Sequence, residues 1–143
     1  MNKITLLLLT LSIALFSSEV KLKTDEFPAK EMKKQNLEIA KLVATSMSKD
    51  LPHVIDKYTT LTKVINEGTT LVWTFEINTG VKSDESVRKE DYNRMKKSVT
   101  EGICQSSSKF LIAGIDTSYI YISAKTKATL FRFDISQKDC LGK

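Results

Sequence analysis

One histidine, two cysteines and a run of carboxylates are the residues of this 143-residue chain that could do chemistry. A hydrolase built on a serine or cysteine nucleophile needs a neighbouring base, and histidine is the usual one. His53 stands on a Leu51-Pro52-His53-Val54 turn and reads as a partly exposed structural residue. No HExxH, GxSxG or glycine-rich phosphate loop occurs, and the five glycines are scattered singly. Asp84, Glu85, Glu90, Asp91 and Glu101 could supply the paired carboxylates of a glycosidase. They are interleaved with Lys82, Arg88, Lys89, Arg94, Lys96 and Lys97, which is the pattern of a solvated helix face laced by three- and four-residue ion pairs. The expectation is a protein without catalysis, metal or cofactor.

The cysteines are read through the compartment. Met1 to Ser18 opens with Lys3, runs apolar from Ile4 to Phe16 with only Thr10 and Ser12 interrupting, and closes on two serines, which is the form of a secretory signal peptide. The apolar run is shorter than the roughly 20 residues of a spanning helix, and charged residues follow at once. Both cysteines lie far downstream, so no lipid-bearing cysteine follows the signal and no membrane anchor is expected after cleavage. An oxidising compartment reached by export favours a structural disulfide between Cys104 and Cys140. A zinc or redox pair would want a CxxC spacing or histidine ligands nearby, and neither is there.

Residues 19–27 read as a flexible charged leader and residues 28–143 as a single domain. Pro28 suits a first helical turn. From Glu31 to about Lys49, Met32, Ile39, Val43 and Met47, widened by Ala40 and Leu42, recur at helical spacing until Leu51-Pro52. Tyr58–Ile65 and Thr69–Ile77, around an Asn66-Glu67-Gly68 turn, form a hairpin with Leu71, Trp73, Phe75 and Ile77 on one face. A second helix runs from Asp84 to about Ile103, capped by Ser83 or Asp84. Three further strands are expected at 109–113, 118–123 and 128–135, with Gly114 as a bulge or turn. The order α-β-β-α-β-β-β predicts an α+β domain: a single antiparallel sheet of about five strands with two main helices on its apolar face.

The 22 Lys and Arg residues exceed 17 Asp and Glu, but both signs mix within the helices and no basic stripe stands alone, so nucleic acid is not an expected partner. Trp73, Phe75, Tyr119, Tyr121, Phe131 and Phe133 read as core rather than as a base-stacking platform. Because Tyr119 and Tyr121 alternate with Ile120 and Ile122, only one of the two sets need face that core.

The order of Leu51-Pro52, Tyr58-Thr59, Gly68-Thr69-Thr70, Cys104, Gly114-Ile115, Tyr119-Ile120-Tyr121-Ile122 and Cys140 resembles the α/β pilotin family of type II secretion systems, from about Leu42 to Cys140. The resemblance implies a small periplasmic domain with a five-stranded sheet, the Cys104–Cys140 disulfide and no catalysis. It also implies a partner: pilotins bind a C-terminal helical segment of the secretin, the outer-membrane pore subunit. Family members are lipoproteins, and this chain departs from them in lacking the acylated cysteine. The expected function is a soluble periplasmic protein that binds a helix or strand of an envelope protein. The alternative is an inhibitor or immunity-type protein that blocks an enzyme with the loop at Asn66–Gly68 or Thr79–Asp84.

Overall fold

The computed structural model describes residues 27–141. The expected signal peptide, and all of the expected leader except Phe27, lie outside the described residues. Helix α1 (Phe27–Met47) ends in a 3-10 turn at Ser48–Asp50 before Leu51-Pro52. Strands β1 (His53–Val54), β2 (Thr59–Glu67) and β3 (Thr70–Ile77) follow, then α2 (Asp84–Ser106), α3 (Ser108–Ile112), β4 (Thr117–Ser123) and β5 (Thr129–Ile135). A last 3-10 turn covers Gln137–Cys140.

The five strands lie in chain order across one sheet. The sheet is mixed, not purely antiparallel: β3 and β4 run parallel, with Leu71 opposite Thr117 and Phe75 opposite Tyr121. The cause is α2. Its 23 residues carry the chain along the length of the sheet and return it to the end where β3 began, so β4 must start beside the start of β3. Leu71 N donates to Asp116 O at that shared end.

The segment 109–113, expected as a strand, is α3. Phe110 N and Leu111 N both donate to Ser107 O, and of its apolar side chains Leu111 is buried while Phe110 and Ile112 stay exposed. The four-residue apolar run Phe110–Ala113 fits one helical turn as well as a strand, and periodicity cannot separate the two. The fifth strand is instead the two-residue β1, paired with Thr60 and Leu61 at the sheet edge.

Helix α1 packs chiefly on β2 and α2 on β5, both on the same face. The buried line of α1 is Asn36, Ala40 and Ala44, at intervals of four, while Met32, Leu42 and Met47 of the expected stripe are exposed. Small residues let α1 lie close to the sheet, where Ser48 Oγ donates to Val64 O at 2.9 Å. Buried Asn36 donates from Nδ2 to the carbonyl of Ala113, which docks α1 onto the end of α3. Gly114 has φ +87, a conformation natural to glycine, directly below that contact.

Ser83 caps α2 by accepting from Ser86 N at 3.2 Å. At the other end Cys104 is bonded to Cys140, with Cα atoms 5.5 Å apart. This bridge ties the last turns of α2 to the chain after β5. There Ser136 and Asp139 form a reciprocal capping box, and the hydrogen bond from Ser136 N holds the Asp139 carboxyl below its ordinary pKa.

A candidate protein-binding groove

The aromatic residues of β3, β4 and β5 meet because of register. Trp73 lies opposite Tyr119 and Phe75 opposite Tyr121, and Tyr119 and Tyr121 lie opposite Phe133 and Phe131 in turn. Cross-strand pairs on one face are close enough for ring contact. The Phe75 ring stacks on Tyr119 at 5.4 Å and on Tyr121 at 5.1 Å, and Trp73 on Tyr119 at 6.2 Å. A continuous aromatic strip therefore crosses the middle of the sheet.

The helices cover this strip unequally. With α1 on β2 and α2 on β5, the strands between them lie under a furrow. Trp73 and Tyr119 are only half-buried, and so is Ile77 at the far end of β3. Two crevices open there. One, of about 210 Å³, is lined by Val43, Trp73, Phe110, Leu111, Ile115 and Tyr119, with Asp116 among its neighbours. The other, of about 320 Å³, is lined by Tyr58, Ile77, Val87, Met95 and Phe131, with Lys82, Asp91 and Arg94 at the rim. The two crevices lie at opposite ends of β3, and from Leu71 to Ile77 that strand is about 20 Å long, the length of a helix of about 13 residues.

Burial pushes the hydroxyls of Tyr119 and Tyr121 up to about 12, so both stay neutral at ordinary pH. The rim charges are locked together. Lys82 Nζ lies 2.8 Å from Glu90, which raises its pKa, and Arg94 lies 2.8 Å from Asp91, which lowers that of the carboxyl. Asp84, also lowered, accepts from Thr126. The carboxylates of α2 thus make ion pairs and a loop contact with Lys82, Arg94 and Thr126. His53 is exposed on β1, and no hydrogen bond joins it to a serine among the described residues. No metal-holding cluster of His, Cys, Asp and Glu exists among the described residues.

The aromatic floor was readable from alternation, but two of its neighbours were not. Phe110 and Leu111 reach the first crevice only because 108–112 is helical, whereas Val43 stands on the apolar stripe expected for α1. The clue was Gly114 with Asn36: a glycine that ends a helical turn, and a polar residue on the inner line of α1.

The sequence matches no family profile and no curated protein. Solved structures do resemble it. A candidate secreted protein of Pseudomonas aeruginosa superposes with a TM-score of 0.66 at 15% identity, covering 76% of this chain and 96% of the other. The pilotin EpsS of the Vibrio vulnificus type 2 secretion system gives 0.66 at 11% identity, covering 80% and 99%. The type II secretion pilotin AspS of Vibrio cholerae gives 0.63 at 14% identity, covering 79% and 99%. The chain therefore has the α/β fold of the type II secretion pilotins.

Proposed function

We propose that this is an exported, non-enzymatic binding protein of the periplasm, which takes an apolar helical segment of an envelope protein, such as a secretin, into the furrow between α1 and α2. The observation that carries the reading is the half-buried Trp73–Tyr119 pair. An aromatic floor left partly uncovered between two helices, with an apolar crevice at each end, suits an amphipathic helix laid along it. The shared fold with pilotins and the expected signal peptide support the same reading.

Trp73 is the one tryptophan in the chain and stands in the floor, so its fluorescence reports directly on occupancy. Titration with a synthetic C-terminal peptide of the secretin from the same organism is expected to give a saturable blue shift, abolished by Phe110→Glu. A Trp73 spectrum unchanged at millimolar peptide would defeat the proposal. The inhibitor reading keeps one structural support, the full exposure of Val81 on the loop before α2. Inhibition of a lysozyme or protease, lost on Val81→Asp, would favour it instead.

A further inference from the structure

We propose that the N-terminal half of α1 is a docking surface for an anionic, phosphate-bearing lipid surface. Lys30, Lys33, Lys34 and Leu37 follow at i, i+3, i+4 and i+7, which places them on one side of the helix. They line a crevice of about 630 Å³ whose other wall is the β2–β3 turn at Gly68 and Thr69. It shares no lining residue with the two crevices beside the aromatic strip.

The charges of this patch differ from those of α2. Lys82 and Arg94 are held by Glu90 and Asp91. Lys30, Lys33 and Lys34 pair with no carboxylate among the described residues. Glu31 is the one acidic residue lining the crevice, against three lysines. One apolar side chain of the same face is exposed, Leu37 at 40%.

Three features favour a lipid surface over a small anion or an acidic peptide. The lysines are spread along roughly 6 Å of helix axis rather than converging on one point, as a single phosphate would require. The crevice offers no buried donor, since all three lysines are exposed. An apolar side chain set among cations is the interfacial pattern, in which the lysines meet headgroups and Leu37 meets the acyl boundary. No helix among the described residues is long and apolar enough to cross a membrane, so contact there would be peripheral.

The test uses the full chain and the variant K30E/K33E/K34E, which share the same N-terminal residues. Sedimentation with phosphatidylglycerol–phosphatidylethanolamine vesicles is compared with phosphatidylcholine vesicles, with circular-dichroism melts as the control for folding. Each lysine near an anionic surface contributes about fivefold, so the triple reversal should weaken binding to the anionic vesicles by at least about a hundredfold and leave the neutral ones unchanged. If the reversal misfolds, K30Q/K33Q/K34Q is expected to fold and show a loss in the same direction. Equal binding of the native chain to both vesicle types overturns the proposal. So does displacement from vesicles by millimolar inorganic phosphate, or saturable binding of polyglutamate with no vesicle binding. None of these readouts depends on the furrow, so its failure as a helix site would leave this result untouched.

Discussion

The rings of the aromatic strip are covered on the α2 side, where the crevice opens only past them at Ile77, and left half-covered on the α1 side, although both sides carry the same stacking. On the α2 side, Tyr121, Phe131 and Phe133 are under a tenth exposed, beneath Met95, Val99 and the leaning ring of Tyr92, which lies 5.5 Å from Phe133. On the α1 side, Trp73 and Tyr119 carry the same stacking but sit beside a helix whose inner line is Asn36, Ala40 and Ala44. Large residues on α2 finish a core, whereas small residues on α1 leave a floor. Ring chemistry does not distinguish covered rings from half-covered ones here; the size of the opposing helix residues does.

The comparison is broken most sharply on its covered side. Phe133→Ala removes a ring that is 4% exposed and stacked on Phe131, and should cost about 4 kcal/mol in urea unfolding. A loss under about 1 kcal/mol would mean that this side is as loosely packed as the other.

Next in size is the disulfide, which closes a loop of 36 residues and secures the far end of α2. Cys104→Ser with Cys140→Ser should lower stability by about 3 kcal/mol. Because α2 makes the covering wall, the loss should also raise hydrogen exchange in Phe131 and Phe133 more than in Trp73. Peptide mass analysis of the oxidised protein should find the two cysteines joined.

At the α1 end the equivalent fastening is one hydrogen bond. Asn36→Ala leaves the Ala113 carbonyl without its partner and should cost about 1–2 kcal/mol. That is less than the disulfide, and the damage should appear as mobility of α3 and Phe110. Alkaline titration gives a related measure. The folded-state pKa values of Tyr119 and Tyr121, about 12, lie above the ordinary phenol value, so the unfolded chain ionises first. Stability should hold below pH 10 and fall as pH rises from 10 towards 12. Ligand bound in the furrow should shelter Tyr119 further and leave Tyr121 unchanged.

Much of this was legible in the sequence, and the gaps have a common cause. The alternation of Trp73, Phe75 and Ile77, the periodicity of Met95, Val99 and Ile103, and the two cysteines are local or pairwise signals. The direction of β4, the helical state of 108–112 and the choice of Ala40 and Ala44 as the buried line of α1 depend on partners far along the chain. Parallel pairing in particular carries no local mark in β4. It follows from the length of α2 and the end of the sheet to which the chain returns.

Trp73→Ala, no larger in its effect on stability than Asn36→Ala, is the most informative about the comparison. A half-buried ring stacked at 6.2 Å on one neighbour loses little on truncation, about 1–2 kcal/mol, at most half the expectation for Phe133. If the furrow is a helix site, the same substitution should weaken peptide binding at least thirtyfold, because a central aromatic carries a large share of interface energy. With the fluorophore gone, calorimetry is the measurement. A core residue spends its effect on folding and a site residue on affinity, so Trp73 and Phe133 should fall on opposite sides of that divide. Should Trp73→Ala instead destabilise the fold as much as Phe133→Ala while binding stays intact, the half-covered side would be core that α1 covers only loosely.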